Sequence, residues 1–219
     1  MATPLRKVRE RELVAATRAL FDQRGMQDAP IEEIAKAVGI ARGLIYRQFS
    51  SKEELYVLTV TDYLDELGAL LEQAAAAEPD PEPRLERLAS EFAGFCQRYP
   101  AFLDAALSLM QGPARELHAK VSESVWLRLG QGMARSVDQL AAALREGTEA
   151  GTFAVADADY TANLLWTQTL GAMHLARIRV GVRQLAPNVP ELFKVDPDDV
   201  VRSCVASAMA VAGVRRPAR

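Results

Sequence analysis

The side chains best equipped for chemistry are few and scattered in this chain of 219 residues. It holds two histidines, His118 and His174, and two cysteines, Cys96 and Cys204. No Gly-x-Ser-x-Gly elbow, Gly-Lys-Ser/Thr phosphate loop or His-Glu-x-x-His pair occurs, so nothing assembles a nucleophile, a phosphate cradle or a zinc centre. Asp157/Asp159 and Asp196/Asp198/Asp199 have the look of cation ligands, but each group stands at the start of an expected helix, where acids cap N–H groups and complement the dipole. Neither a metal nor a cofactor is expected. Two cysteines make no disulfide framework, which suits a reducing cytoplasm, and both read as small buried hydrophobes. What remains is a short basic segment, Arg42, Arg47 and Lys52, with Tyr46 and Gln48 among them.

The elements that must position this segment are helical. Alanine supplies 37 residues and aromatics only 6%, with no sustained period-two alternation, so the expected class is all-α. At 49% hydrophobic and 25% charged, the composition is that of a globular protein. No run of 18 apolar residues and no N-terminal apolar h-region appears, which argues against membrane spanning and secretion.

Periodicity and breakers predict about nine helices. The first three cover about 9–24, closed by Gly25, about 30–38, with Pro30 in the first turn and Gly39 as the stop, and about 41–49. Ser51-Lys-Glu-Glu54 has the capping-box form and opens a fourth helix running to Ala77, where Glu78 to Pro83 should make a stiff turn. Further helices follow at about 84–99, 101–111, 114–150, 157–180 and 196–213, separated by Pro100, Gly112-Pro113, Gly151 and the Pro187/Pro190 segment. In the 114–150 helix, Trp126, Leu129, Met133, Val137, Leu140 and Leu144 form the expected stripe, and Gly130 and Gly132 are candidate bends. Tyr160–Ala176 and Ser203–Val214 contain no charged residue, and a helix without a charged face is usually covered on all sides. These two helices read as a subunit interface rather than the innermost pair of a monomer.

The second and third helices, joined by a tight glycine turn, match a helix-turn-helix. Ala35 is small where they cross, Gly39 permits the turn, and Ile34, Val38, Ile40 and Ile45 fill the seam. Ile34-Ala-Lys-Ala-Val-Gly-Ile-Ala-Arg-Gly-Leu-Ile-Tyr-Arg-Gln-Phe-Ser-Ser-Lys-Glu-Glu-Leu55, preceded by Leu20-Phe-Asp-Gln-Arg-Gly25, resembles the DNA-binding domain of the tetracycline-repressor-like (TetR) family of bacterial transcription regulators. The resemblance implies a helix-turn-helix domain at 1–50 and a larger helical ligand-binding and dimerisation domain at 51–219. It implies a cytoplasmic homodimer, joined through the helices near 157–180 and 196–213. It implies further that a palindromic operator in double-stranded DNA is bound, and that a small, hydrophobic effector releases it.

Carried over position by position, the resemblance puts the third helix in the major groove. Arg42 would read guanine and Gln48 adenine, Gly43 would let the backbone approach, and Leu44 would lie against a thymine methyl. Tyr46, Arg47 and Lys52 would contact phosphates. Family positions that commonly carry a capping Ser or Thr hold Pro30 and Ala41 here, leaving Asp28 as the candidate cap of the second helix. Leu44 and Gln48 replace the usual Thr and His, so an operator sequence cannot be borrowed. Arg6, Lys7, Arg9 and Arg11 form either a minor-groove arm or a charged helix start.

For the effector, the expected lining is Phe92, Phe95, Phe102, Met110, Trp126, Met133, Asn163, Trp166 and His174, with Cys96, Leu107 and Gln168 as further candidates. A helical enzyme or a protein-interaction module without DNA binding is the alternative. The net charge of −3 excludes only a uniformly basic DNA binder. Residues 1–56 carry +2 and residues 57–219 carry −5.

Overall fold

The computed structural model describes residues 4–25, 30–111 and 118–214. Among them are nine helices and one hairpin: α1 (Pro4–Arg24), α2 (Ile31–Val38), α3 (Arg42–Gln48), α4 (Lys52–Ala77), α5 (Pro81–Arg98), α6 (Pro100–Gln111), α7 (Glu123–Glu149), α8 (Ala158–Ile178), β1 (Val180–Ala186), β2 (Val189–Lys194) and α9 (Pro197–Ala212). The all-helical expectation holds apart from the hairpin. Asp28, Gly112 and Pro113, assigned a cap and a break from the sequence, lie outside the described residues.

Local chemistry explains most element ends. Gly39 is left-handed at φ 69°, its N–H donating to Lys36 O and that of Ile40 to Ala35 O, a Schellman closure that a residue with a Cβ resists. Asp157 accepts from Tyr160 N–H and Asp196 from Asp198 N–H, so these acids cap α8 and α9 rather than gather a cation. Among the described residues no group of three or more metal-ligating side chains occurs.

Three expectations need correction. Helix α5 starts at Pro81 rather than at about residue 84: Pro81 and Pro83 fall in its first turn, whose N–H groups have no intrahelical partner to lose. Helix α7 starts at Glu123, not at 114, and passes unbroken through Gly130 and Gly132. The segment after α8 is an antiparallel hairpin with Val182 opposite Leu192 and an irregularity between Gln184 and Ala186, where the sequence offered only a separator. The N-terminal basic residues Arg9 and Arg11 lie exposed on α1, which begins at Pro4. That favours the charged helix start over an arm.

The chain forms two compact units that do not divide at residue 50. Unit 1 comprises residues 1–66 and 99–133, and unit 2 comprises 67–98 and 134–219, so α4 and α7 each contribute to both. In unit 1, α1, α2 and α3 enclose Leu13, Phe21, Ile34, Ile45 and Phe49, all buried. Arg18 on α1 lies between the rings of Tyr63 on α4 and Tyr99 before α6, 4.1 and 4.9 Å from their centroids. Its guanidinium bonds Asp62 at 2.8 Å and also Glu66. In unit 2, α5, α8 and α9 pack together around a stacked pair, Phe92 and Trp166, with centroids 4.3 Å apart.

Of the expected stripe on α7, Leu129, Leu140 and Leu144 are buried, Trp126 and Val137 are half-buried and Met133 is exposed, so the buried line follows the stripe only in part. It runs through Val125, Leu129, Gly132, Ser136, Leu140, Ala143 and Gly147. A Cβ on Gly132 would meet Leu64 at 3.1 Å within unit 1, and one on Gly147 would fall 2.2 Å from Phe153 within unit 2. Gly132 and Gly147 are where neighbours come close, whereas Gly130 faces open space.

Candidate nucleic-acid interface

Helix α3 owes its exposed face to how it is held. Ile45 at 1% exposure and Phe49 at 3% anchor it from below. Positions rotated away from that anchor around the helix then point outward: Arg42, Gly43, Tyr46 and Arg47 are exposed, and Leu44 and Gln48 are half-buried. A Cβ on Gly43 would meet nothing within 4 Å, so a flat groove wall can approach the backbone there. Ala41 caps α3 without a side-chain hydrogen bond, and Pro30 does the same for α2.

Arg42 is not idle in the DNA-free protein. It forms an ion pair with Glu32 of α2 at 2.6 Å and lies over the Tyr46 ring, 5.6 Å from its centroid. Hydrogen bonding with Tyr46, and then the charge of Glu32, raise its already high pKa, so the group is a permanent cation. Glu32 escaped the sequence reading because only the crossing of α2 and α3 brings it to Arg42.

The junction after α3 is a hydrogen-bonded knot. Ser51 Oγ accepts from Glu54 N–H at 3.0 Å, as a capping box requires, but the Glu54 carboxylate reaches one residue further back, to Ser50 N–H at 2.6 Å. The segment leading into α7 joins the same knot. Ser51 Oγ donates to Lys120 O at 2.6 Å, Ser122 Oγ donates to Glu54 Oε1 at 2.7 Å, and Lys120 Nζ lies 3.3 Å from Glu53. The backbone hydrogen bond to the Glu53 carboxylate, followed by Lys120, holds its pKa below the usual range. Lys52, exposed at the first position of α4, combines its charge with the N–H groups of a helix start.

The expected effector residues are divided between the two units. Phe102, Met110, Trp126 and Met133 belong to unit 1, and Phe92, Phe95, Asn163, Trp166 and His174 to unit 2. Phe92, Phe95, Phe102 and Trp166 are core, Trp126 is half-buried against His118, and Met110, Met133, Asn163 and His174 are exposed. Cys96 is enclosed, and burial, with the charge of nearby Cys204 adding to it, pushes its thiol far above the ordinary range. A groove of about 470 Å³ in unit 2 is instead walled by Glu72, Glu78, Arg84, Gln139, Glu146 and the adjoining alanines, and none of the nine expected residues lines it.

A helix-turn-helix with an exposed basic face, set ahead of a larger helical unit, defines a DNA-binding class of fold. Residues 13–58 match the family model for bacterial regulatory proteins of the tetR family. Over 92 residues the chain is 32% identical to the HTH-type transcriptional activator FasR of Mycolicibacterium smegmatis, an alignment covering 42% of each protein. The chain thus spans less than half the length of this relative. In fold it is similar to the TetR-family regulator PfmR of Thermus thermophilus, with TM-score 0.60 and 21% identity over 93% of this chain and 99% of that one. It is similar also to RolR in complex with resorcinol, with TM-score 0.66 and 19% identity over 96% and 90%. At these identities the likeness concerns the fold alone. Residues 13–58 thus form a domain of the kind found in bacterial regulatory proteins of the tetR family.

Proposed function

We propose that the protein is a ligand-responsive transcription repressor that binds a palindromic operator as a homodimer, in the cytoplasm. The observation that carries the reading is the outward face of α3: Arg42, Gly43, Tyr46 and Arg47 share it, with Lys52 one short turn beyond. In the bound state Arg42 leaves Glu32 and gives its two-pronged hydrogen bonds to a guanine edge, and Gln48 reads a neighbouring adenine. Leu44 meets a thymine methyl, and Tyr46, Arg47 and Lys52 hold phosphates. Two such helices meet successive major grooves when about 34–36 Å apart. The uncharged stretches 160–176 of α8 and 203–212 of α9 are the surfaces on which two copies join. Among the described residues no helix is long and apolar enough to cross a membrane.

An effector releases the DNA by preferring a dimer with a different spacing of its recognition helices. Helices α4 and α7 both run from the knot at Ser50–Glu54 into unit 2, which gives the signal two continuous rods. The resorcinol held by RolR makes a small aromatic compound the first class to test. FasR is named an activator, and an activator is the second reading of direction.

The test is a footprint on DNA beside the protein's own gene, with salt titration. A palindromic protected site is expected. Arg42→Ala should lose sequence preference, and Lys52→Ala should weaken all sequences and lower the salt slope by about one. A folded dimer that protects no site refutes the proposal.

A further inference from the structure

The β1–β2 hairpin is used neither by the core nor by the DNA face. Eight of the fourteen large apolar side chains exposed among the described residues fall between Leu175 and Phe193. One face of the ribbon is occupied by its own residues. Phe193 lies over Gly181, where a Cβ would come within 2.4 Å of the ring, and Arg183 pairs with Glu191 at 2.5 Å beside it. The other face carries Val180, Val182 and Leu192. Val182 and Leu192 are direct cross-strand partners, 68% and 70% exposed. Two strands alone are marginal in water, and an apolar cross-strand pair gains little while both members stay wet.

The root of the hairpin is fixed. Arg179 takes the left-handed conformation at φ 57°, Val195 N–H donates to Arg179 O at 3.0 Å, and Val195 is buried. A strand of seven residues extends about 23 Å from that root. The root continues from α8, whose exposed Asn163, Thr167 and Gly171 carry no charge ahead of Arg177, and leads into α9, whose exposed Ser203 and Ser207, beyond Arg202, carry none either.

We propose that the hairpin is an arm that lies across a second copy of this chain and buries its Val182/Leu192 face there. The inference rests on the dimer proposed above. A second copy is the fitting occupant because exposed Leu175 and Ile178 on the interface helix are followed, past Arg179, by exposed Val180 and Val182 on the hairpin, and twofold symmetry lets each subunit both extend and receive an arm.

Sedimentation equilibrium of the full chain tests this. The wild type is expected to be a dimer. The double variant Val182→Ser/Leu192→Ser should raise the dimer dissociation constant at least tenfold, with unchanged helical circular dichroism. Replacing residues 180–194 by a short Gly-Ser link between Arg179 and Val195 should do the same. Ser207→Arg on α9 probes the underlying helix interface and should weaken the dimer independently. A dimer weakened by Ser207→Arg but indifferent to both hairpin variants overturns the arm and leaves the helix interface standing. A monomeric wild type, or a dimer indifferent to all three changes, overturns both readings.

Discussion

Replacing Arg18 by methionine removes the cation that ties α1 to α4 and to Tyr99 while keeping an apolar stem. Burial disfavours the charge on Arg18, yet hydrogen bonds to Asp62 and Glu66 outweigh it and raise the pKa, so the group is charged at any working pH. Two rings flank the guanidinium, and each cation–π contact is worth about 0.5–1 kcal/mol. The ion pairs count for less than enclosed ones, because Asp62 and Glu66 are 46% and 39% exposed and water takes the place of the lost partner. On the scale of exposed pairs they contribute about 0.5–1 kcal/mol each. The expected loss for Arg18→Met is therefore about 2–4 kcal/mol of unit 1 stability. Trp126 lies in unit 1 and Trp166, the other tryptophan, in unit 2. Urea unfolding followed by Trp126 fluorescence in a Trp166→Phe background thus reports on unit 1. Arg18→Lys, which keeps the charge without the planar fork, should recover about half the loss. A loss under about 0.5 kcal/mol in Arg18→Met would place the cluster among ordinary surface pairs and refute the reasoning.

Three further outcomes are expected. Glu32→Gln should strengthen operator binding up to about fivefold at low salt, as releasing one exposed ion pair allows, and the gain should fade as salt rises. Gly130→Ala should stabilise by up to about 1 kcal/mol, since its Cβ meets open space in a helix interior, whereas Gly147→Ala should destabilise by about 1–3 kcal/mol against the buried Phe153 ring; thermal melts of the two decide it. Burial pushes the Tyr56 hydroxyl up to about 12, so the folded state holds a proton that the unfolded state has released. Its share of stability is then complete below about pH 10 and is lost between about pH 10 and 12, at a limiting slope of about 1.4 kcal/mol per pH unit. Tyr56→Phe should flatten that slope in denaturant titrations.

What the sequence disclosed follows the range of the forces involved. The left-handed Gly39, the Ser51 cap and the Asp157 and Asp196 caps are set by neighbours a few residues away, and all were legible. So was the outward face of α3, because burial of Ile45 and Phe49 fixes it. The hairpin was not, because Gly181, Pro187 and Pro190 read as loop punctuation and the strands alternate for only a few residues. Along α7 a search for large apolar side chains finds Leu129, Leu140 and Leu144, which are buried, but it misses the small members of the seam, Gly132, Ser136 and Ala143, and lands beside it on Trp126 and Met133. Aromatic residues such as Phe92 and Trp166 look alike in sequence whether they fill a core or line a cavity. The Glu32–Arg42 pair depends on a helix crossing that no spacing encodes.

The division at residue 50 shows the same contrast between local pattern and packing. The helix-turn-helix segment is recognisable within residues 13–58, yet the side chains that hold it lie beyond. Tyr63 Oη donates to Asp22 at 2.5 Å, Arg18 needs Asp62, Glu66 and Tyr99, and Glu54 needs Ser122. Leu55 and Leu58, buried at 1% and 3%, end such a fragment at its most apolar turn. A chain of about 58 residues has little core to spare, and small domains are marginal even when intact. The fragment 1–58 should therefore show no cooperative thermal transition by circular dichroism, while residues 1–133, which contain all of unit 1, should keep one. A cooperative melt of the 1–58 fragment would show that the three helices stand on their own, and that α4, α6 and the start of α7 merely lie beside them.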